Sequence, residues 1–197
     1  MSNLFEEPDD ATPLTPAERE GLRPSWITTR HDLNEAEQDN IVSGAAWARR
    51  GHRAAAALLD DGFALELHRR MFRNVWKWAG GFRTTERNLG IEAYRIPIEV
   101  HVLFDDARYW IANATYPPDE IAVRLHHRLV AIHPFPNGNG RHARLMADLL
   151  VEKLGGQPFT WGGGALTDAE ELRKRYVAAL RAADDHAIGP LLAFARS

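Results

Sequence analysis

The stretch "HPFPNGNGRHAR", residues 133–144, lies between two runs of helical periodicity and prevents them from being one helix. Pro134 and Pro136 lack a backbone donor and push the residue before each of them out of the helical region. The run Asn137, Gly138, Asn139, Gly140 accepts positive φ angles, so the chain can turn within a few positions. The preceding run, "DEIAVRLHHRLVAI", therefore stops at His133. The following run, "GRHARLMADLLVEKLGG", starts near Gly140, carries Leu145, Met146, Leu149 and Leu150 on an apolar face, and closes at Gly155 and Gly156.

This break also has chemistry. The first turn of the second helix has free N–H groups and the positive end of the helix dipole, which together favour an anion. Arg141 and Arg144 are three apart, share a face and can both reach a phosphate chain. His133, at the other edge, offers an imidazole that could take a proton from an attacking hydroxyl. Taken singly, a turn of this kind or a solvated arginine pair is usually structural. Their combination within twelve residues points to a phosphate site.

The rest of the chain reads as helices around this frame. Residues 1–32 form an irregular arm, with proline at 8, 13, 16 and 24 and no sustained period. A helix is predicted over 33–50 with Asn34 as N-cap, making 33–54 an N-terminal helical segment. Phe63, Leu67, Met71, Val75 and Trp78 predict a core-facing helix stopped by Gly80 and Gly81. The segment "FRTTERNLGIEAYRIPIEV" alternates loosely around Asn88, Gly90 and Pro97 and predicts a small hairpin flap. An isolated hairpin is marginal, so it must lean on the helices or receive a strand from elsewhere. Thr167 with Glu170 reads as a capping box for the last long helix, and "IGPLLAFARS" as a short final one. The class is all-α with one small β-hairpin, and 55–197 is the main domain.

Composition removes several alternatives. There is no cysteine, hence no disulfide or thiolate zinc site. A formal charge of −3 argues against broad nucleic-acid or membrane binding, and no apolar run approaches a membrane span. The acidic, proline-rich start is not a secretory leader, so a cytoplasmic protein is expected. Adjacent His126 and His127 point in different directions on a helix and carry no ligand spacing. His31, His52, His68, His101 and His186 carry no motif. Trp76, Trp78 and Trp110 read as packing rather than base-stacking groups.

The 133–144 stretch closely resembles the signature of the Fic/Doc family, His-x-Phe-x-(Asp/Glu)-Gly-Asn-Gly-Arg-x-x-Arg. His133, Phe135, Gly138, Asn139, Gly140, Arg141 and Arg144 all match, and the similarity runs from about residue 55 to 195. With "TTRHDLNEAEQDNI", the chain looks like the branch called mobile mystery protein B. The resemblance implies a helical Fic core with ATP and magnesium, and transfer of AMP to a protein hydroxyl. His133 would be the base, Gly138, Asn139 and Gly140 the anion nest, and Arg141 and Arg144 the phosphate ligands. Gly90, Ile91, Tyr94, Arg95 and Ile96 would form the flap that docks an unknown target protein. It further implies a toxin or regulator, with an inhibitor or a small helix-turn-helix gene-pair partner. Doc-like phosphate transfer and a catalytically weak nucleotide-binding module are the alternatives.

One position departs from the pattern. Asn137 stands where many members carry the acidic metal ligand, so magnesium would rely more on the nucleotide's phosphates. The family's self-inhibiting pattern, (Ser/Thr)-x-x-x-Glu-(Gly/Asn), is matched only in degenerate form. Thr167 and Glu171 have the spacing but Leu172 follows, while Asp39-Asn40 in the first helix has Glu35 where Ser or Thr belongs.

Overall fold

The computed structural model describes residues 14–51, 53–163 and 168–197. Its helices are α1 (Pro16–Arg19), α2 (Arg30–Arg50), α3 (Ala55–Leu58), α4 (Asp61–Phe72), α5 (Ile96–Ala112), α6 (Pro118–Ile132), α7 (Asn139–Lys153), α8 (Ala169–Asp184) and α9 (Gly189–Arg196). The expected all-α class is what forms.

The α6–α7 pair is the centre. One hydrophobic cluster joins Leu125, Leu129, Met146 and Leu150 to Leu33 of α2, to Leu67 and Met71 of α4, and to Leu103 and Phe104 of α5. A second cluster uses other faces of the same two helices, Val123, Ala147 and Val151, against Trp161, Ala179 of α8, and Leu191 and Phe194 of α9. The break between α6 and α7 therefore sits between two cores and is held from both sides.

Three expectations are corrected. The helix expected from residue 33, α2, begins at Arg30, because Thr29 and Asp32 cap each other: Asp32 N–H donates to Thr29 Oγ1 (3.2 Å) and Thr29 N–H to Asp32 (2.9 Å). Asn34 is an exposed helical residue. Second, α4 ends at Phe72, so Val75 and Trp78 are beyond it. The chain there pairs instead with the N-terminal arm: Arg23 N–H donates to Val75 O, and Lys77 N–H to Gly21 O, both at 2.8 Å. Trp78 Nε1 donates to Glu18 O at 3.1 Å, and Trp76 and Trp78 stack at 5.0 Å. Their packing role is as expected.

Third, no hairpin forms. Among the described residues no strand is present, and the only pairing is the antiparallel bridge between Leu22 and Trp76. The flap is an irregular segment that ends in a 3-10 turn over Ala93–Arg95 and runs straight into α5. Pro97 falls in the first turn of α5, where its missing N–H costs nothing, and Ile96, Val100, Leu103, Phe104 and Ala107 take up a helical period. The alternation read across Pro97 was thus broken by the helix start. Thr167 lies outside the described residues, and α8 follows Asp168.

Among the described residues, no helix is long and apolar enough to cross a membrane.

Candidate active site

α6 ends with His133 in the left-handed region, φ 54° and ψ 60°, its N–H donating to Leu129 O at 3.1 Å. A non-glycine residue persists there only when its surroundings impose it, at a cost of about 1–3 kcal/mol. The imposing group is Arg83, 2% exposed. Its Nε donates to His133 O (2.7 Å) and its Nη1 to Thr85 O (2.9 Å), while Nη2 reaches Ile91 O and Ile132 O. Arg83 N–H also donates to Pro134 O at 2.9 Å. One guanidinium thus ties the end of α6 to the flap.

The loop itself is strapped from within and supported from below. Asn139 Oδ1 accepts from Phe135 N–H and its Nδ2 donates to Phe135 O, both at 2.8 Å. Its side chain is therefore committed to the loop, and its part in an anion nest falls to the backbone. Phe135 is fully buried, with the His68 ring stacked on it at 3.7 Å. His68 Nδ1 accepts from Gly80 N–H (3.0 Å), so its Nε2 carries the proton and donates to Asn137 O (3.1 Å). His142 Nε2 lies 3.0 Å from Ala64 O, anchoring α7 on α4.

Two glycines in the loop do different things. Gly138 caps α7 with φ 79°, and a Cβ there would lie 2.5 Å from the Phe72 ring, so only glycine fits. A Cβ on Gly140 would make ordinary contacts of 3.8 Å with Arg144 Nη2 and Tyr176 Oη. The fold does not require glycine at 140; a ligand approaching the backbone would.

His133, Asn137, Gly138, Asn139, Gly140, Arg141 and Arg144 all line one cavity of about 790 Å³, together with Leu89 and Gly90 of the flap and one face of α8. The structure brings together the loop residues given a binding or proton-transfer role, with Phe135 buried beneath them. Burial, then the charges of Arg83 and Arg87, lower the His133 imidazole to about 4, so it is neutral and able to accept a proton at pH 7. Arg141 Nη1 is 2.6 Å from Glu37 Oε2, whose other oxygen accepts from Trp76 Nε1, also at 2.6 Å. Arg144 lies over the Tyr176 ring at 5.2 Å.

The flap residues separate. Gly90, φ 93°, packs so closely that a Cβ would lie 2.6 Å from His133 Cβ. Ile91 N–H donates to Ile132 O at 3.4 Å. Tyr94 is 79% exposed. Arg95 is also exposed and pairs with Glu99 at 2.6 Å, whereas Ile96 is buried in the core. Since α6 and Arg83 already use both backbone groups of Ile91, that residue presents no open strand edge.

Sequence reasoning missed Glu37, His68 and Arg83. Glu37 shares the buried face of α2 with Leu33, Ala36, Asn40 and Gly44. An acid at that period was the available signal. Asp39 and Glu35, on the register of the self-inhibiting pattern, are exposed. His68 lies on the inward face of α4 beside Leu67 and Met71, a placement that periodicity shows but does not explain. His126 is a core histidine against Tyr176 Oη (3.0 Å), and His127 pairs with Asp184 (2.8 Å).

As a metal centre the loop is poorly equipped. Asn137 Oδ1 accepts from Gly138 N–H, and among the described residues that line the cavity Asp184 is the single carboxylate. Magnesium is ordinarily held by one or two carboxylates plus phosphate oxygens. These residues do not fit a resident cation.

Comparison with known proteins places this geometry. Residues 58–151 match the Fic/DOC family. The chain is 34% identical over 142 residues to the protein adenylyltransferase fic-1 of Caenorhabditis elegans, covering 70% of this chain and 26% of that one. To the protein adenylyltransferase Fic of Drosophila grimshawi it is 31% identical over 135 residues, covering 66% and 26%. The chain thus spans about a quarter of the length of these relatives. A solved fragment of C. elegans Fic-1 superposes with a TM-score of 0.63 at 25% identity, covering 90% of this chain and 51% of that one. The BepC protein of Bartonella tribocorum, solved with bound AMPPNP, gives a TM-score of 0.65 at 18% identity, covering 92% and 97%. That last likeness is one of fold.

Proposed function

Residues 58–151 are a Fic/DOC family domain, and on that premise we propose that the protein is an adenylyltransferase moving AMP from ATP to a hydroxyl side chain of a target protein. The observation that carries this reading is the single cavity holding a neutral His133 opposite the bare backbone of Gly140 and the guanidiniums of Arg141 and Arg144. His133 takes the proton of the target hydroxyl as its oxygen attacks the α-phosphorus. The bond from that phosphorus to the bridging oxygen breaks, and pyrophosphate leaves. The first-turn N–H groups of α7 and Arg141 face the charge that develops, and hold it without reorganising. Because the loop does not fit a resident magnesium ion, the work assigned to the chain is binding, orientation and proton transfer.

The cavity mouth includes Leu89 and Gly90, so a target chain presented along the flap brings its hydroxyl close to His133. The finer branch, with a helix-turn-helix gene-pair partner and a toxin or regulatory role, rests on the likeness of "TTRHDLNEAEQDNI" alone. Control from within the chain has a structural basis in Glu37, which occupies part of Arg141. A catalytically weak nucleotide-binding module is the second reading, supported by Asn137 in place of an acid and by that same pair.

Incubation with lysate and ATP labelled at either the α- or the γ-phosphate decides between them. Transfer of α-label only, reduced about 10²- to 10⁴-fold in His133→Ala, is the expected result. Transfer of γ-label means phosphotransfer, and nucleotide binding without transfer means the regulatory module.

A further inference from the structure

α8 turns one face to the cavity, on which Arg173, Tyr176, Val177, Leu180 and Asp184 follow at helical spacing. Arg173 is partly buried in the second turn, and its Nε is buried with no hydrogen-bond partner among the described residues. A buried donor left unmade calls for an explanation. The acids nearby do not supply one. Glu170, one turn earlier, is paired with Lys174 at 2.7 Å. Asp184, eleven residues further on, is about 16 Å away along the helix and is bonded to His127.

What Arg173 meets instead is charge of its own sign. Arg144, from the first turns of α7, sits over the Tyr176 ring with its Nε 3.3 Å from Gly140 O. The Tyr176 hydroxyl, pushed up to about 12 by burial, still feels the charges of both Arg144 and Arg173. Among the described residues neither guanidinium has an acidic partner, and both line the cavity that contains the Gly138–Gly140 backbone. Two unneutralised guanidiniums converging on a partly desolvated space are tolerable where an incoming anion completes them.

We propose that Arg173 is a phosphate-binding residue which, with Arg144, holds the outer phosphates of the nucleotide, the part that leaves as pyrophosphate. The proposal rests on the nucleotide reading above and adds a ligand from outside the 133–144 loop. Its contact would strengthen as negative charge moves onto the departing phosphates.

Calorimetric titration of the full chain with inorganic tripolyphosphate, ATP and AMP tests it. Arg173→Gln should weaken tripolyphosphate and ATP about ten- to hundredfold, the usual worth of one charge-assisted contact, and leave AMP within about twofold. Arg173→Lys should recover part of the loss, since it restores the charge without the planar fork. Unchanged ATP binding in Arg173→Gln, or an equal loss for AMP, overturns the assignment. A wild-type chain that binds none of the three ligands overturns the nucleotide reading itself. If Arg173→Gln melts well below wild type, the Lys variant carries the test: a tripolyphosphate affinity between those of wild type and the Gln variant supports the proposal, and one equal to that of wild type overturns it.

Discussion

The loop of residues 133–140 and the flap of residues 83–95 meet at His133, yet they are built on opposite plans. The loop is fixed mainly by neighbours in sequence: two prolines, a positive-φ Gly138, and the Asn139 strap to Phe135 four residues back. The flap has local bonds, Arg83 to Thr85 O and Ile91 O and Ala93 N–H to Glu86, but depends on distant ones as well. Arg83 binds carbonyls some fifty residues away, and Arg87 is paired with Glu18 of the N-terminal arm. The loop's turn is thus set largely by its own sequence, while the left-handed His133 and the segment that faces a target take their shape from the body behind them.

Acid should break this contrast most strongly. Burial lowers His68, His126, His133 and His142 in the folded chain, the last two to about 4. Below an unfolded value of 6.5 the unfolded chain takes up protons that the folded chain refuses. Stability therefore is full above that value and falls as pH drops toward about 4, by on the order of 3 kcal/mol for each of His133 and His142. Denaturant melts at pH 7.5, 6, 5 and 4.5 check it. A flat profile would show that these histidines, two of which brace the loop, are protonated in the fold. Over the same range the base at His133 stays neutral, so activity should fail through unfolding before it fails through protonation.

Arg83→Ala removes the joint between the two regions and strands several buried carbonyls. A loss of about 3 kcal/mol is expected, with faster amide exchange in the flap than in α7. Equal exchange in both would mean that the loop depends on the flap after all. Lysine should not rescue it, since one ammonium cannot span the four carbonyls.

Glu37→Gln sharpens the comparison from the loop's side, at the long-range ion pair that reaches Arg141. Removing the charge beside Arg141 frees that guanidinium for phosphate, and ATP affinity should rise about three- to tenfold. Lower affinity would make Glu37 a positioning group instead. The smallest effect belongs to the outward flap: Tyr94→Ala should shift stability by less than about 0.5 kcal/mol while lowering modification of a protein target relative to ATP binding. Unaltered target modification would remove Tyr94 from docking.

Much of the site was legible because its logic is local. A proline stop, a glycine turn and arginines three apart specify a helix break with cations on one face, and the glycines and arginines line the cavity. The hairpin was misread because loose alternation across Gly90 and Pro97 has the same look whether the chain pairs with itself or starts a helix. The start of α2 lies earlier than the periodicity indicates because Thr29 and Asp32, the residues that cap it, lie before the apolar period starts.

By itself the sequence determined the helical class, the break at 133–144 and the chemistry of its side chains, because proline, glycine and helical period act over a few residues. Only the tertiary structure decided that Glu37 would hold Arg141, that His68 would brace Asn137 and that Arg83 would hold His133 in a left-handed conformation. Those contacts join segments fifty to a hundred residues apart, and nothing in a local pattern records which buried polar group will find which partner.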